Sequence, residues 1–90
     1  MPKFMMEVHH EPDEHLNSLD RIAFYNPELL NGMKWGCRNG EHTGWVLVDA
    51  NDENEAREML PQNERNGVRL AEVDTLTEDD IARMHKGLQG

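Results

Sequence analysis

The dipeptide Asn39-Gly40 most constrains what this chain can fold into, because it separates two apolar segments that each contain a tryptophan. Both residues tolerate the positive φ that tight β-hairpin turns require. Residues 33–38 before the dipeptide and 43–50 after it have the composition of strands, and the second is almost entirely apolar at its centre. The sequence therefore predicts an antiparallel hairpin.

Two further strands are predicted outside the hairpin. In residues 3–10 the even-numbered side chains, ending with His10, share one face, whereas Met5, Glu7 and His9 share the other. Because both faces begin with apolar residues, we expect a central strand that is covered on both sides. Residues 68–74 alternate in the same way and predict the fourth strand.

Prolines delimit the first predicted helix. Pro12 suits the first turn of a helix, and the acidic residues that follow it complement the helix dipole. Pro27 disfavours helical geometry in the residue before it, so the helix should end near residues 25–26. Residues 28–32 are then predicted to be a short connector to the hairpin.

Capping residues begin two more helices. Asp52, with Glu55 three residues later, resembles a capping box, and Thr77 is a suitable N-cap for a last helix over about residues 78–86. The order of elements is then β-α-β-β-α-β followed by a helix, and a right-handed crossover leads to a ferredoxin-like sheet with strands one and three in the centre. We predict one α+β domain over residues 1–90, with a core over about 3–76 and helices on one face of the sheet.

Charge and composition limit the partners and the compartment. The chain has 18 acidic and 9 basic residues, a formal net charge of -9, and this surface repels nucleic acid and anionic membranes. No stretch approaches the ~20 apolar residues of a membrane span, and the start lacks the apolar run of a signal peptide. The only cysteine, Cys37, cannot form an internal disulfide. We expect a cytoplasmic protein.

In this order of elements the chain resembles the dimeric α/β-barrel superfamily, and most closely its short prokaryotic members without assigned function. The resemblance covers roughly residues 3–76. The segments that carry it are Phe4-Met5-Met6-Glu7-Val8-His9, Met33-Lys34-Trp35-Gly36-Cys37, His42-Thr43-Gly44-Trp45, Val68-Arg69-Leu70-Ala71-Glu72-Val73 and Leu76-Thr77. It implies a homodimer in which the open sheet faces pack together, and no catalytic motif of a named subfamily is present to carry over.

The clearest candidates for chemistry are Glu7 and His9, which lie two residues apart on one strand face. A carboxylate beside an imidazole can orient the ring for acid–base catalysis, and the alternative is a polar pair at the exposed end of the strand. Trp35 and Trp45 could pair across the hairpin and line a pocket, with His42 at its mouth, although such rings more often pack in a core.

These residues support three functional hypotheses. The first is a homodimeric protein that binds an apolar or aromatic small molecule in a cavity lined by Glu7, His9, Trp35, His42 and Trp45. The second is a cofactor-free isomerase or monooxygenase in which His9 moves a proton. The third is a protein-interaction or regulatory module.

No metal site and no cofactor are predicted. The chain has five histidines, but His9 and His10 point to opposite faces, and the spacing between His10 and His15 matches no chelating motif. Cys37 is expected on the strand face that carries Trp35, as a buried and unreactive thiol.

Overall fold

The structure, a computed structural model, describes residues 1–89. The described residues form four strands and four helices, and three short 3₁₀ turns connect some of them at Pro12–Glu14, Cys37–Asn39 and Gln62–Glu64. The elements are β1 (Lys3–His9), α1 (His15–Tyr25), α2 (Pro27–Gly32), β2 (Lys34–Trp35), β3 (Thr43–Asp49), α3 (Glu53–Arg57), β4 (Val68–Val73) and α4 (Glu78–Gln89).

The four strands form one antiparallel sheet in the order β2-β3-β1-β4. β1 and β3 are therefore central, as predicted, and the α+β class with a four-stranded antiparallel sheet is confirmed. The arrangement is consistent with a ferredoxin-like fold. In this register Glu7 lies between Trp45 of β3 and Arg69 of β4, so these three residues share one face of the sheet.

Helices α1, α2 and α3 pack on the other face of the sheet. Phe4, Met6 and Val8 of β1 point toward them and are buried, as the alternation predicted. Ile22 of α1 is also fully buried. The remaining buried apolar residues complete a single core, and they are Leu29, Met33, Val48, Ala50, Ala56 and Leu60.

The opposite face of the sheet is open in the single chain. Met5 and Leu47 are paired neighbours on the two central strands, and they are 38% and 50% exposed. The prediction that both faces of β1 are covered is therefore not met within one chain. None of the helices in residues 1–89 is long and apolar enough to cross a membrane.

Residues 28–32, predicted to be a connector, lie in the helix α2. Pro27 occupies the first turn, and the side-chain oxygen of Asn26 accepts a hydrogen bond from the Leu29 backbone N–H at 3.1 Å. A proline at the start and a capping asparagine before it are typical of helix beginnings. The proline that ends α1 also begins α2, and this second role was missed.

The first strand of the hairpin is shorter than predicted. The pairing of β2 with β3 is antiparallel, as expected, but β2 ends at Trp35 and the chain turns away at Gly36. The Gly36 carbonyl accepts hydrogen bonds from the backbone N–H groups of Asn39 and Glu41. A Cβ at Gly36 would lie 2.9 Å from Glu41, so this tight return favours glycine. Cys37 therefore lies in a 3₁₀ turn and not on a strand.

The last helix begins where predicted and continues to Gln89. Thr77 and Asp80 form a reciprocal cap, because the Asp80 N–H donates to Thr77 Oγ1 and the Thr77 N–H donates to Asp80 Oδ2. Almost every side chain from Glu78 to Gly87 is exposed to solvent. The described chain is 54 Å long and its radius of gyration is 16.5 Å, against about 12 Å for a compact chain of this length.

Candidate metal centre

Four side chains of ligand type converge at one end of the sheet. His10, His15, Cys37 and His42 each offer a nitrogen or sulfur atom, and these four atoms all lie within 4.8 Å of one another. We call this group the His–Cys cluster. Its residues come from two parts of the chain that are distant in sequence, so the tertiary fold is needed to assemble it.

The first half of the cluster forms at the junction of β1 and α1. His10 follows β1 on the buried side, next in the alternation after Val8, and its backbone N–H donates to the His42 carbonyl at 3.1 Å. The 3₁₀ turn Pro12–Glu14 then reverses the chain and places His15 at the first position of α1. As a result His10 Nε2 lies 2.7 Å from His15 Nδ1.

The second half forms in the connection between β2 and β3. Cys37 begins the turn that follows Gly36, and its Sγ lies 3.6 Å from His10 Nε2. Gly40 ends that turn with a φ of 88°, which is the left-handed geometry expected of glycine in a tight turn. His42 then directly precedes β3, and its ring centroid is 5.5 Å from that of His10.

Burial favours the neutral form of the central ring. His10 is only 4% exposed, and this burial lowers the pKa of His10 below its ordinary value, with the charges of His15, His42 and His9 acting in the same direction and Glu64 acting against them. A neutral imidazole has a lone pair to give to a metal. The Nδ1 atoms of His10 and His42 are buried without a hydrogen-bond partner among the described residues, so protein contacts do not saturate these rings.

One ligand-atom distance matches that of a tetrahedral zinc site, and the four atoms together spread over as much as 4.8 Å. Zn–N bonds of ~2.05 Å and Zn–S bonds of ~2.3 Å give about 3.3 Å between two nitrogens and about 3.6 Å between nitrogen and sulfur. The observed distance between His10 Nε2 and Cys37 Sγ is 3.6 Å. The two histidine nitrogens at 2.7 Å would need to separate by about half an ångström, which small ring rotations can provide.

The structure divides the five residues predicted for a ligand cavity between the two faces of the sheet. Glu7, His9 and Trp45 lie on the open face, as expected from the alternation. Trp35 lies on the helix-covered face, where its ring packs over Gly44, 5.4 Å from the His10 ring, and His42 belongs to the His–Cys cluster. The two tryptophans do not pair across the hairpin, because β2 is registered so that Lys34 and not Trp35 faces Trp45.

Glu7 and His9 share a face but have different partners. Trp45 Nε1 donates to Glu7 Oε1 at 3.0 Å, and Arg69 Nη1 lies 4.0 Å from Glu7 Oε2. His9 Nδ1 lies 3.2 Å from Thr43 Oγ1. The geometry thus gives Glu7 the role of a partner for Trp45, and it offers no support for Glu7 as the group that orients His9.

The reason given against a metal site does not hold in this fold. The spacing between His10 and His15 does permit both rings to meet, because a 3₁₀ turn lies between them. Cys37 and His42 are also five residues apart, and Cys37 is the first residue of a 3₁₀ turn that lies between them and ends before His42. Two ligand pairs with the same five-residue spacing, each spanning Pro or Gly, were the available sequence signal. Cys37 is half-buried beside His10 and not an isolated core thiol.

The chain matches no protein-family model, no curated protein and no solved structure. Within the described residues, the His–Cys cluster is the one group of His, Cys, Asp and Glu side chains whose positions suit a metal ion.

Proposed function

We propose that this protein binds one transition-metal ion, of the zinc class, through His10, His15, Cys37 and His42. The observation that carries this proposal is the convergence of their four ligand atoms within 4.8 Å. Imidazole and thiolate ligands suit zinc and its neighbours in the first transition row, whereas calcium and magnesium require oxygen ligands. One thiolate would leave a Zn²⁺ centre with a net charge of about +1.

Four protein ligands are typical of a metal that holds a fold together. Here the ion would join the junction between β1 and α1 to the connection between β2 and β3. These two parts otherwise meet through the backbone hydrogen bond between His10 and His42 and through packing around Trp35. Metal binding would therefore add to the free energy of unfolding of the whole domain.

The direct test is metal titration of the purified, chelator-treated protein, followed by native mass spectrometry and by the visible spectrum of the cobalt(II) form. We expect one ion per chain and a thiolate-to-cobalt charge-transfer band. Cys37→Ser should lose that band and bind the ion at least ~10-fold more weakly, because a hydroxyl is a poor ligand for these metals.

His9→Ala is the matched control for the corresponding His10→Ala variant. The two histidines are adjacent, but only His10 belongs to the His–Cys cluster. We expect His9→Ala to bind zinc as the parent chain does and His10→Ala to bind it much more weakly. If the parent chain takes up no zinc or cobalt at micromolar concentrations, the proposal is wrong.

The open sheet face supports a second candidate, a homodimer of the kind that the dimeric α/β-barrel resemblance implies. Met5 and Leu47 would be covered by the same residues of a second copy, and Glu7, His9 and Trp45 would then lie between the two sheets. Such an interior could hold an apolar or aromatic ligand. Trp35 and His42 would not line it, because they lie on the other side of the sheet.

This second candidate is tested by light scattering and native mass spectrometry of the chain and of Leu47→Glu. A dimer should become a monomer, because the new charge would be buried at the interface. Leu16→Glu is the control, since Leu16 lies on α1, away from the sheet, and is 67% exposed. A parent chain that is monomeric at all concentrations would contradict the dimer and leave the metal proposal intact.

A further inference from the structure

A cleft of about 390 Å³ adjoins the His–Cys cluster. Its lining combines two of the proposed metal ligands with apolar and basic side chains, namely His15, Leu19, Trp35, Cys37 and Arg38. His10 lies deeper and is buried. A metal ion held by the cluster would therefore have one side toward protein and one side toward this cleft.

Arg38 gives the cleft a positive charge that its surroundings do not cancel. It is exposed, and no carboxylate of the described residues lies within 4.0 Å of its guanidinium, whereas Arg21, Arg69 and Arg83 are each paired with an acidic side chain. Two other arginines of the described residues also lack a carboxylate within 4.0 Å, but only Arg38 lines this cleft. A guanidinium and a metal centre of net charge about +1 on the same cleft would attract an anion.

The apolar walls of the cleft favour a ligand with an apolar body. Leu19 is half-buried on α1, and the Trp35 ring is held in place because it packs directly over Gly44. A fixed indole face and a leucine side chain offer a flat apolar surface. A simple inorganic anion would leave this surface without a contact, whereas an organic anion with a planar body would cover it.

From these features we infer that the cleft binds a small aromatic carboxylate. Its carboxylate would face Arg38 and the metal ion, and its ring would lie against Trp35 and Leu19. Four protein ligands would close the coordination shell of the ion, so Arg38 and the net charge of the centre would hold the carboxylate without a bond to the metal. This inference rests on the proposed metal site and names the class of ligand that the site accepts.

The test is a titration of the cobalt(II) form with benzoate, monitored by the visible d–d bands. We expect the bands to shift as the negative charge of the carboxylate is placed beside the metal centre, and acetate to produce the same change only at higher concentration. Arg38→Gln should weaken the benzoate response by about tenfold, which corresponds to the loss of one charge-assisted hydrogen bond. Lys34→Gln is the matched control, because Lys34 is a nearby exposed cation on the open sheet face.

Each outcome decides between the two proposals. Failure of the parent chain to bind cobalt overturns both the metal site and the ligand class. Normal cobalt binding with spectra that benzoate does not change overturns the ligand class alone. A benzoate response that is equal in the parent chain and in Arg38→Gln, or equal for acetate and benzoate, also overturns it, because neither the arginine nor the apolar wall would then contribute.

Discussion

His9 and His10 are adjacent in the sequence but lie in different chemical environments. Successive side chains on a strand point to opposite faces, so His9 lies on the open face beside Thr43, whereas His10 enters the interior next to Trp35. Burial lowers the pKa of the His10 ring, and the side chains around it are of types that bind metals. Two predictions for single residues concern Cys37 and Gly44.

Metal binding should protect Cys37 from alkylation. The thiolate is the reactive form of cysteine, and a bound zinc ion would occupy the electron pair that attacks the reagent. We expect iodoacetamide to modify the zinc-loaded chain at least ~10-fold more slowly than the chelator-treated chain, as measured by mass spectrometry. His15→Ala should lose the protection and His9→Ala should keep it. Equal rates with and without zinc would show that Cys37 is not a ligand.

Gly44→Ala should be destabilising because of the Trp35 ring. A Cβ at this position would lie 2.7 Å from ring atoms, and a packed indole cannot move away easily. We expect the free energy of unfolding to fall by about 1–3 kcal/mol, as measured by urea denaturation. Gly87→Ala is the control, because nothing lies within 4 Å of its added Cβ and alanine favours the helix α4. If Gly44→Ala had the same free energy of unfolding as the parent chain, Trp35 would not be held against β3.

Among the elements of the fold, the short turns bring the candidate metal ligands together. β1 and α1 are standard elements, but the 3₁₀ turn between them brings His10 and His15 together. The turn after Gly36 does the same for Cys37 and His42, and Gly40 permits its left-handed end. The caps of the helices are the second feature at this scale, since each cap fixes where a helix begins.

The start of α4 should depend on pH through Asp80. Hydrogen bonds from the backbone and side chain of Thr77 lower the pKa of Asp80 below its ordinary value of 3.8, with Arg83 adding to the effect. Because the folded-state pKa is lowered, the ionised cap stabilises the helix at pH values above 3.8 and loses this effect as the pH falls through the lowered pKa.

We therefore expect the amide signals of the first turn of α4 to lose helical chemical shifts below about pH 4 in NMR spectra, while the sheet signals remain. Thr77→Ala should already weaken this turn at neutral pH, by about 0.5–2 kcal/mol of local stability, because it removes the hydroxyl that accepts from Asp80 N–H. A helix start that is unchanged by acid and by Thr77→Ala would show that the cap does not hold it.

At the scale of the whole molecule, the chain has a single core on one side of a four-stranded sheet, and α4 lies outside it. A domain of about 90 residues buries a small core, and its stability is correspondingly modest. The His–Cys cluster lies at the end of the sheet where β1, β2, β3 and α1 meet. An ion bound there would link most of the elements that build the core.

Zinc should therefore raise the global stability of the chain. At a free zinc concentration 100 times the dissociation constant, the free energy of unfolding should rise by about 2.7 kcal/mol if the unfolded chain does not bind the ion. Thermal unfolding with and without a chelator measures this change, and Cys37→Ser should lose most of it. An identical melting temperature in both conditions would contradict a structural role for the ion.

Much of the fold could be predicted from local signals. The alternation in β1, the turn at Asn39-Gly40 and the caps at Asp52 and Thr77 act over a few residues, so they are visible in the sequence. The strand order then followed from the rule for crossovers. The shortened β2 was missed because the return at Gly36 depends on hydrogen bonds with residues after the turn.

Local patterns in the sequence were enough to predict which strand faces are apolar, where α3 and α4 begin, and that His9 and His10 lie on opposite faces, whereas the helix predicted from Pro12 begins only at His15. The contact of His10 and His15 with Cys37 and His42 could not be predicted in this way, because the pairing of β1 with β3 brings together residues that are about thirty positions apart. The register between β2 and β3 also places Trp35 and Trp45 on opposite faces of the sheet. Such contacts depend on the register between strands, and a shift of one residue would reverse every side chain.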